Sequence, residues 1–197
     1  MTGQISDEVT YRGKPYALTG ANGTGLFDPA SLGLRVRMIS TACWRGYVAG
    51  YAVLDDALKL TRLELGLDDR PEVFGVRPDE PHDPEEAEDS ENFLPPPRHP
   101  AYSGLDVPVP FTGGLLIGRD FDSSYYVHMG YQAGWKYEDL QELIFEDGRL
   151  VEAHDRSRTA ARMREAAEGP ESPDRNDREA VRAWIRRSFS LDYDPLS

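Results

Sequence analysis

The 197-residue chain has one cysteine, four histidines and no long apolar run. The lone Cys43 cannot close an internal disulfide, so packing and hydrogen bonds must hold the fold, as suits a reducing compartment. No stretch reaches the roughly 18–20 consecutive apolar residues that a spanning helix needs. The opening Met1-Thr-Gly-Gln-Ile-Ser-Asp7 has neither the basic nor the apolar region of a secretory leader. These absences predict a cytoplasmic protein with no membrane partner. Positive charge is also scarce: 22 Lys and Arg face 35 Asp and Glu, a net charge of −13. That field repels phosphates and argues against a nucleic-acid partner; a basic protein partner or a small anionic ligand held at a local arginine fits better.

What is present suits a packed core, with 39% hydrophobic and 10% aromatic residues. The pattern is mostly that of strands. Val9 and Tyr11 alternate with polar neighbours, Arg12-Gly13 turns, and Tyr16 to Leu18 returns; Pro15, lacking an N–H, marks a strand start or edge. Arg35 to Thr41 and Trp44 to Leu54 read as further strands, with Gly46 and Gly50 leaving room for large side chains or another backbone. Asp55-Asp56 turns the chain into Leu58–Leu65, whose apolar positions change phase between Leu60 and Leu63, the signature of a bulge. Leu115 to Ile117 resumes the sheet, and Leu140–Phe145, Asp147-Gly148 and Leu150–Ala153 make a hairpin.

Between about 68 and 110, prolines and carboxylates accumulate, which predicts a long, mobile acidic insertion with at most a short strand at Val73–Val76. After 155 two helices are expected. The first, Arg158–Glu168, stops at Gly169-Pro170; the second opens on an Asn176/Glu179 capping box and carries Val181, Trp184, Ile185 and Phe189 at helical spacing. The predicted architecture is α+β: a single, mainly antiparallel β domain over 1–155 with the two C-terminal helices of 156–197 docked on it.

Three blocks, Ser40-Thr-Ala-Cys-Trp-Arg-Gly-Tyr47, Tyr126-Val-His-Met-Gly-Tyr131 and Phe145-Glu-Asp-Gly-Arg-Leu-Val151, together with the N-terminal Ile5-Ser-Asp7 and the Tyr11–Tyr16 hairpin, resemble a family of small bacterial proteins with no activity attached. The resemblance spans most of 5–66 and 111–151 and implies a common fold, without transferring any catalytic residue.

Most chemical motifs fail on inspection. Gly20–Gly25 lacks the Lys and Ser/Thr of a phosphate loop and reads as a plain loop. His82-Asp83 and His99 lack metal-ligand spacing, and Ser123-Ser124 has no nucleophile elbow. Cys43, in an apolar run, reads as a packed thiol. No cofactor or metal is expected. The remaining surface is aromatic and arginine-bearing: Trp44, Arg45, Tyr47, Tyr126, His128, Tyr131 and Trp135. Arg45 beside aromatics offers a planar fork for a carboxylate or phosphate, or pairs across strands with an acid such as Glu64. Two functions follow. The first is a non-enzymatic protein- or ligand-binding module, of immunity or regulatory type, using that surface. The second is a small hydrolase or transferase with Arg45 holding an anion and His128 as general base.

Overall fold

The computed structural model describes residues 2–80, 99–128, 130–166 and Glu179. In chain order the strands are β1 (Glu8–Tyr11), β2 (Lys14–Thr24), β3 (Tyr47–Leu54), β4 (Ala57–Leu65), β5 (Ala101–Tyr102), β6 (Val107–Pro108), β7 (Thr112–Phe121), β8 (Tyr137–Glu146) and β9 (Arg149–Asp155). Helix α1 (Ser157–Glu165) follows. Three hairpin turns, Arg12-Gly13, Asp55-Asp56 and Asp147-Gly148, have positive φ at both central residues. Such mirror-image turns match the right-handed strand twist, so each pins the register of its hairpin.

The pairings close on themselves. The first four strands lie in the order β2-β1-β3-β4, antiparallel except for the parallel contact Val9↔Tyr51 and its neighbours between β1 and β3. β7, β8 and β9 form an antiparallel meander. A long seam joins the halves from Ala17↔Gly118 to Thr24↔Thr112. The other seam is short: Ala57↔Arg149, with Leu58 N–H donating to Gly148 O and Leu150 N–H to Asp56 O. The result is a ring of seven strands, with β5 and β6 laid along β4. Closure removes most of the exposed edges that an open sheet would present.

Side-chain alternation fills the ring. Val9, Tyr11, Tyr51, Leu58, Leu60, Leu63, Leu65, Leu115, Ile117, Leu143 and Phe145 belong to one buried cluster, each large aliphatic side chain contributing about 1.5–3 kcal/mol of transfer free energy. The phase change in β4 is a bulge at Thr61: Tyr51 faces Leu60 while Gly50 faces Arg62. The extra residue keeps all four leucines of β4 inward, and its hydroxyl bonds Gly50 O at 3.1 Å.

Several expectations are corrected. Gly20–Thr24, read as a loop, continues β2 against β7, because Gly23 and Gly113 let the two backbones approach where a Cβ would collide. Arg35–Thr41 is not a ladder strand; it passes over the start of β3 and ends in a Ser40↔Cys43 bridge. Gly46 admits another backbone there, the Arg37 carbonyl. The flanks of the acidic segment are also more ordered than a mobile insertion. Val73, Tyr102, Leu105 and Val109 are buried, and Asp79 N–H donates to Ala101 O at 2.8 Å. Val73–Val76 is a tight turn, with Phe74 and Gly75 at positive φ, rather than a strand. The segment 81–98 and the second C-terminal helix expected from Asn176 onward lie outside the described residues, Glu179 apart.

Helix α1 begins where the sequence placed it and packs on β8 and the Gly134–Lys136 turn. Ala160 is fully buried. Arg156 pairs with the buried carboxylate of Glu142, and Arg164 Nη1 donates to Trp135 O at 2.8 Å. Among the described residues no helix is long and apolar enough to cross a membrane.

A Cβ on Gly66 would stand 1.9 Å from Arg37 O, in a segment anchored by Arg37 N–H to Gly66 O at 2.7 Å. Gly66→Ala is therefore expected to cost about 1–3 kcal/mol in urea unfolding, as overpacking typically does. A neutral result would mean that Arg37 is not seated on Gly66.

Candidate functional site

The N-terminal residues act as a strap that brings two of the sequence blocks together. Gln4 N–H donates to Gly130 O at 2.8 Å and Ile5 N–H to Ala42 O at 2.7 Å. The Gln4 amide bonds Thr41 O and receives Trp44 N–H, both at 3.0 Å, while Gly3 N–H donates to the Tyr126 hydroxyl at 3.1 Å. Segments 40–47 and 126–131, distant in sequence, thus share one surface.

Arg45 stands at its centre, held by Asp7 rather than by Glu64. The two form a bidentate pair, Nη1 to Oδ2 at 2.9 Å and Nη2 to Oδ1, while Arg45 Nε donates to Tyr47 O at 2.8 Å. Asp7 Oδ1 also accepts Ala49 N–H at 2.6 Å. The guanidinium carbon lies 4.5 Å from the Tyr47 ring centre and 5.9 Å from that of Tyr131. Burial works against the Arg45 charge, but the Asp7 carboxylate outweighs it and keeps the guanidinium more firmly protonated. Burial pushes the Asp7 carboxyl up, against the downward pull of Arg45 and the Ala49 N–H. Each terminal nitrogen of Arg45 retains a second N–H, and the side chain is 25% exposed.

Beside this pair is a cleft of about 260 Å³ lined by Ser6, Asp7, Leu18, Thr19, Gly20, Ala21, Arg45 and Tyr131. Thr19 is the extra residue of a bulge in β2, its hydroxyl bonded to Leu116 O at 3.0 Å.

The expected surface residues separate into three groups. Trp44 is 55% exposed and Tyr126 38%. His128 is exposed and stacks edge-on against Tyr126 at 4.9 Å. Tyr47 and Tyr131 are partly buried against Arg45. Trp135 does not belong to the surface; it is buried under α1, in ring contact with Tyr125 at 5.2 Å. No hydrogen bond or ring contact joins Arg45 to His128 among the described residues. Cys43 is buried, its Sγ 3.4 Å from Tyr47 O, and burial pushes its thiol up, so it stays protonated and packs as a small apolar group.

Sequence reasoning missed two groups. Asp7 stood in the sequence reading only within Ile5-Ser-Asp7 and was given no site role, since its partner is far along the chain. Lys136 is 1% exposed, its Nζ donating to Gln132 Oε1 at 2.9 Å, and burial pushes its amine down to about 8. The trace it leaves in the sequence is a lysine flanked by Trp135 and Tyr137. Set against protein-family models, curated proteins and solved structures, the chain matches none of them, so its site is read from its own geometry.

Proposed function

We propose that the protein is a non-enzymatic binding module that captures a basic protein partner through the surface formed by Trp44, Arg45, Tyr47, Tyr126, His128 and Tyr131. The observation that carries this reading is the strap, which commits the backbone of residues 3–5 to holding segments 40–47 and 126–131 side by side. Exposed tryptophan and tyrosine around a partly exposed arginine is the composition of interface anchors. The net charge of −13 steers a basic partner toward the molecule and raises its encounter rate. An acid–base role for His128 with Arg45 as anion holder has less support, because the Arg45 fork is engaged by Asp7.

The test is capture from the native cell lysate by immobilised wild type and by Trp44→Ala/Tyr131→Ala, a pair that leaves the Asp7–Arg45 bridge in place. A basic protein retained by the wild type should be lost from the variant, with retention falling as salt is raised. Identical captured sets from the two would refute this surface.

A further inference from the structure

The ring is split beside the cleft. β1 runs antiparallel to β2 from Tyr11↔Lys14 to Glu8↔Ala17, and Leu18 N–H still reaches Asp7 O at 2.7 Å. A continued ladder would place residues 2–6 along β2 from Thr19 onward. Instead that chain leaves β2: Gln4 N–H donates to Gly130 O, between β7 and β8, and Ile5 N–H to Ala42 O, in the loop that leads to β3. On β2 the segment Gly20–Thr24 keeps β7 on one side, and no backbone bond among the described residues occupies the other. In an antiparallel strand with one neighbour, alternate residues direct N–H and C=O away from it. Ala21 to Thr24 are exposed. The V-shaped gap has the cleft at its apex, between Ser6 and Asp7 on one wall and Leu18 and Thr19 on the other, with Arg45 and Tyr131 also lining it.

Free edges in folded proteins are usually guarded by lysine, proline or an inward charge. This one, Ala21-Asn22-Gly23-Thr24, has none of these, and its small side chains allow a second backbone to come close. We propose that β2 takes up an extended segment of the basic partner as an added strand along Gly20–Thr24, reaching into the cleft beside Asp7 and Arg45. The inference rests on the binding-module reading and specifies how the partner is held. Main-chain hydrogen bonds supply affinity in such strand addition, and pockets beside the edge supply selectivity. A basic segment is favoured over a second copy of this chain because each copy carries −13.

The experiment uses the full-length wild-type protein and two phage-displayed random decapeptide libraries, one enriched in Lys and Arg and one in Asp and Glu. Peptides selected from the basic library should protect the amides of Thr19–Thr24 from hydrogen exchange. Synthetic copies N-methylated at alternate residues should then divide by parity. One set should lose at least about tenfold in affinity, and the other should stay within about threefold, since only every second peptide N–H faces β2. Equal effects of the two N-methylated sets, protection confined to 40–47 and 126–131, or enrichment from the acidic library alone would each overturn strand addition. Those outcomes leave the lysate result with Trp44→Ala/Tyr131→Ala free to stand. β2 amides protected by self-association, seen as dimers in sedimentation, would overturn it in favour of a second copy.

Discussion

Lys136→Met raises stability at pH 7 by about 1–3 kcal/mol, because burial disfavours the ammonium and local opening relieves only part of that cost. Lys136 is 1% exposed, its amine has an amide oxygen as hydrogen-bond partner and the Trp135 ring centre at 5.7 Å, and burial lowers its pKa from 10.5 to about 8. A lysine whose folded pKa lies below its unfolded value binds fewer protons folded than unfolded. Its contribution is most favourable above pH 10.5 and is lost as the pH falls through about 8. Below that the wild type carries a poorly solvated charge that methionine, of similar length, does not. The stability difference between variant and wild type should therefore be largest near neutrality and shrink toward pH 10.5. Urea unfolding of both proteins across that range reads it directly. A variant less stable than wild type at pH 7, or a difference independent of pH, would show that the native fold solvates this cation well.

Asp7→Ala has the opposite sign and a larger size, a loss of about 3–5 kcal/mol, because it takes the counter-charge from Arg45, leaves its two terminal nitrogens without their acceptors and strands the Ala49 N–H. Asp7 is 6% exposed. The exposed pair Arg37–Asp68, with side chains 75% and 70% accessible, gives the contrast. Asp68→Ala should change stability by no more than about 1 kcal/mol, since solvent screens such pairs. In a double-mutant cycle, Asp7→Ala/Arg45→Met should recover part of the single-mutant loss, as the unpaired charge is removed along with its partner. If Asp7→Ala costs no more than Asp68→Ala, the pair does not organise this surface.

The hairpins were legible in the sequence because their signals are local. Asp55-Asp56 and Asp147-Gly148 are turn residues between alternating runs, and the skipped beat of Leu58, Leu60, Leu63 and Leu65 marked the bulge at Thr61. The start of α1 was legible for the same reason. Closure into a ring was not, because it depends on β2 meeting β7 and β9 meeting β4 across the acidic segment, and strand alternation carries no partner information. Glycine misled in one place and informed in another. Gly23 suggested a loop where it serves close backbone packing, whereas Gly46 was read as room for a neighbour and holds the Arg37 carbonyl. Of the candidate surface, the aromatic residues were legible by their density. Trp135 was misplaced because its cover, α1, comes from later in the chain. The role of Asp7 was not legible, since a single carboxylate before a strand looks like any surface acid.

The order of the strands around the ring has a consequence for synthesis. A nascent chain emerging to Leu65 contains β1 to β4, which can assemble as an open four-stranded sheet in the order β2-β1-β3-β4. One face of it already presents Tyr51, Leu58, Leu60 and Leu63, residues that in the folded protein share a buried cluster with Tyr102, Phe111, Leu115, Ile117, Leu143 and Phe145 from later in the chain. Until the ribosome has passed the end of β9, that half-barrel shows water a greasy face and two unsatisfied borders, the condition that recruits holding chaperones and invites association between neighbouring chains on a polysome.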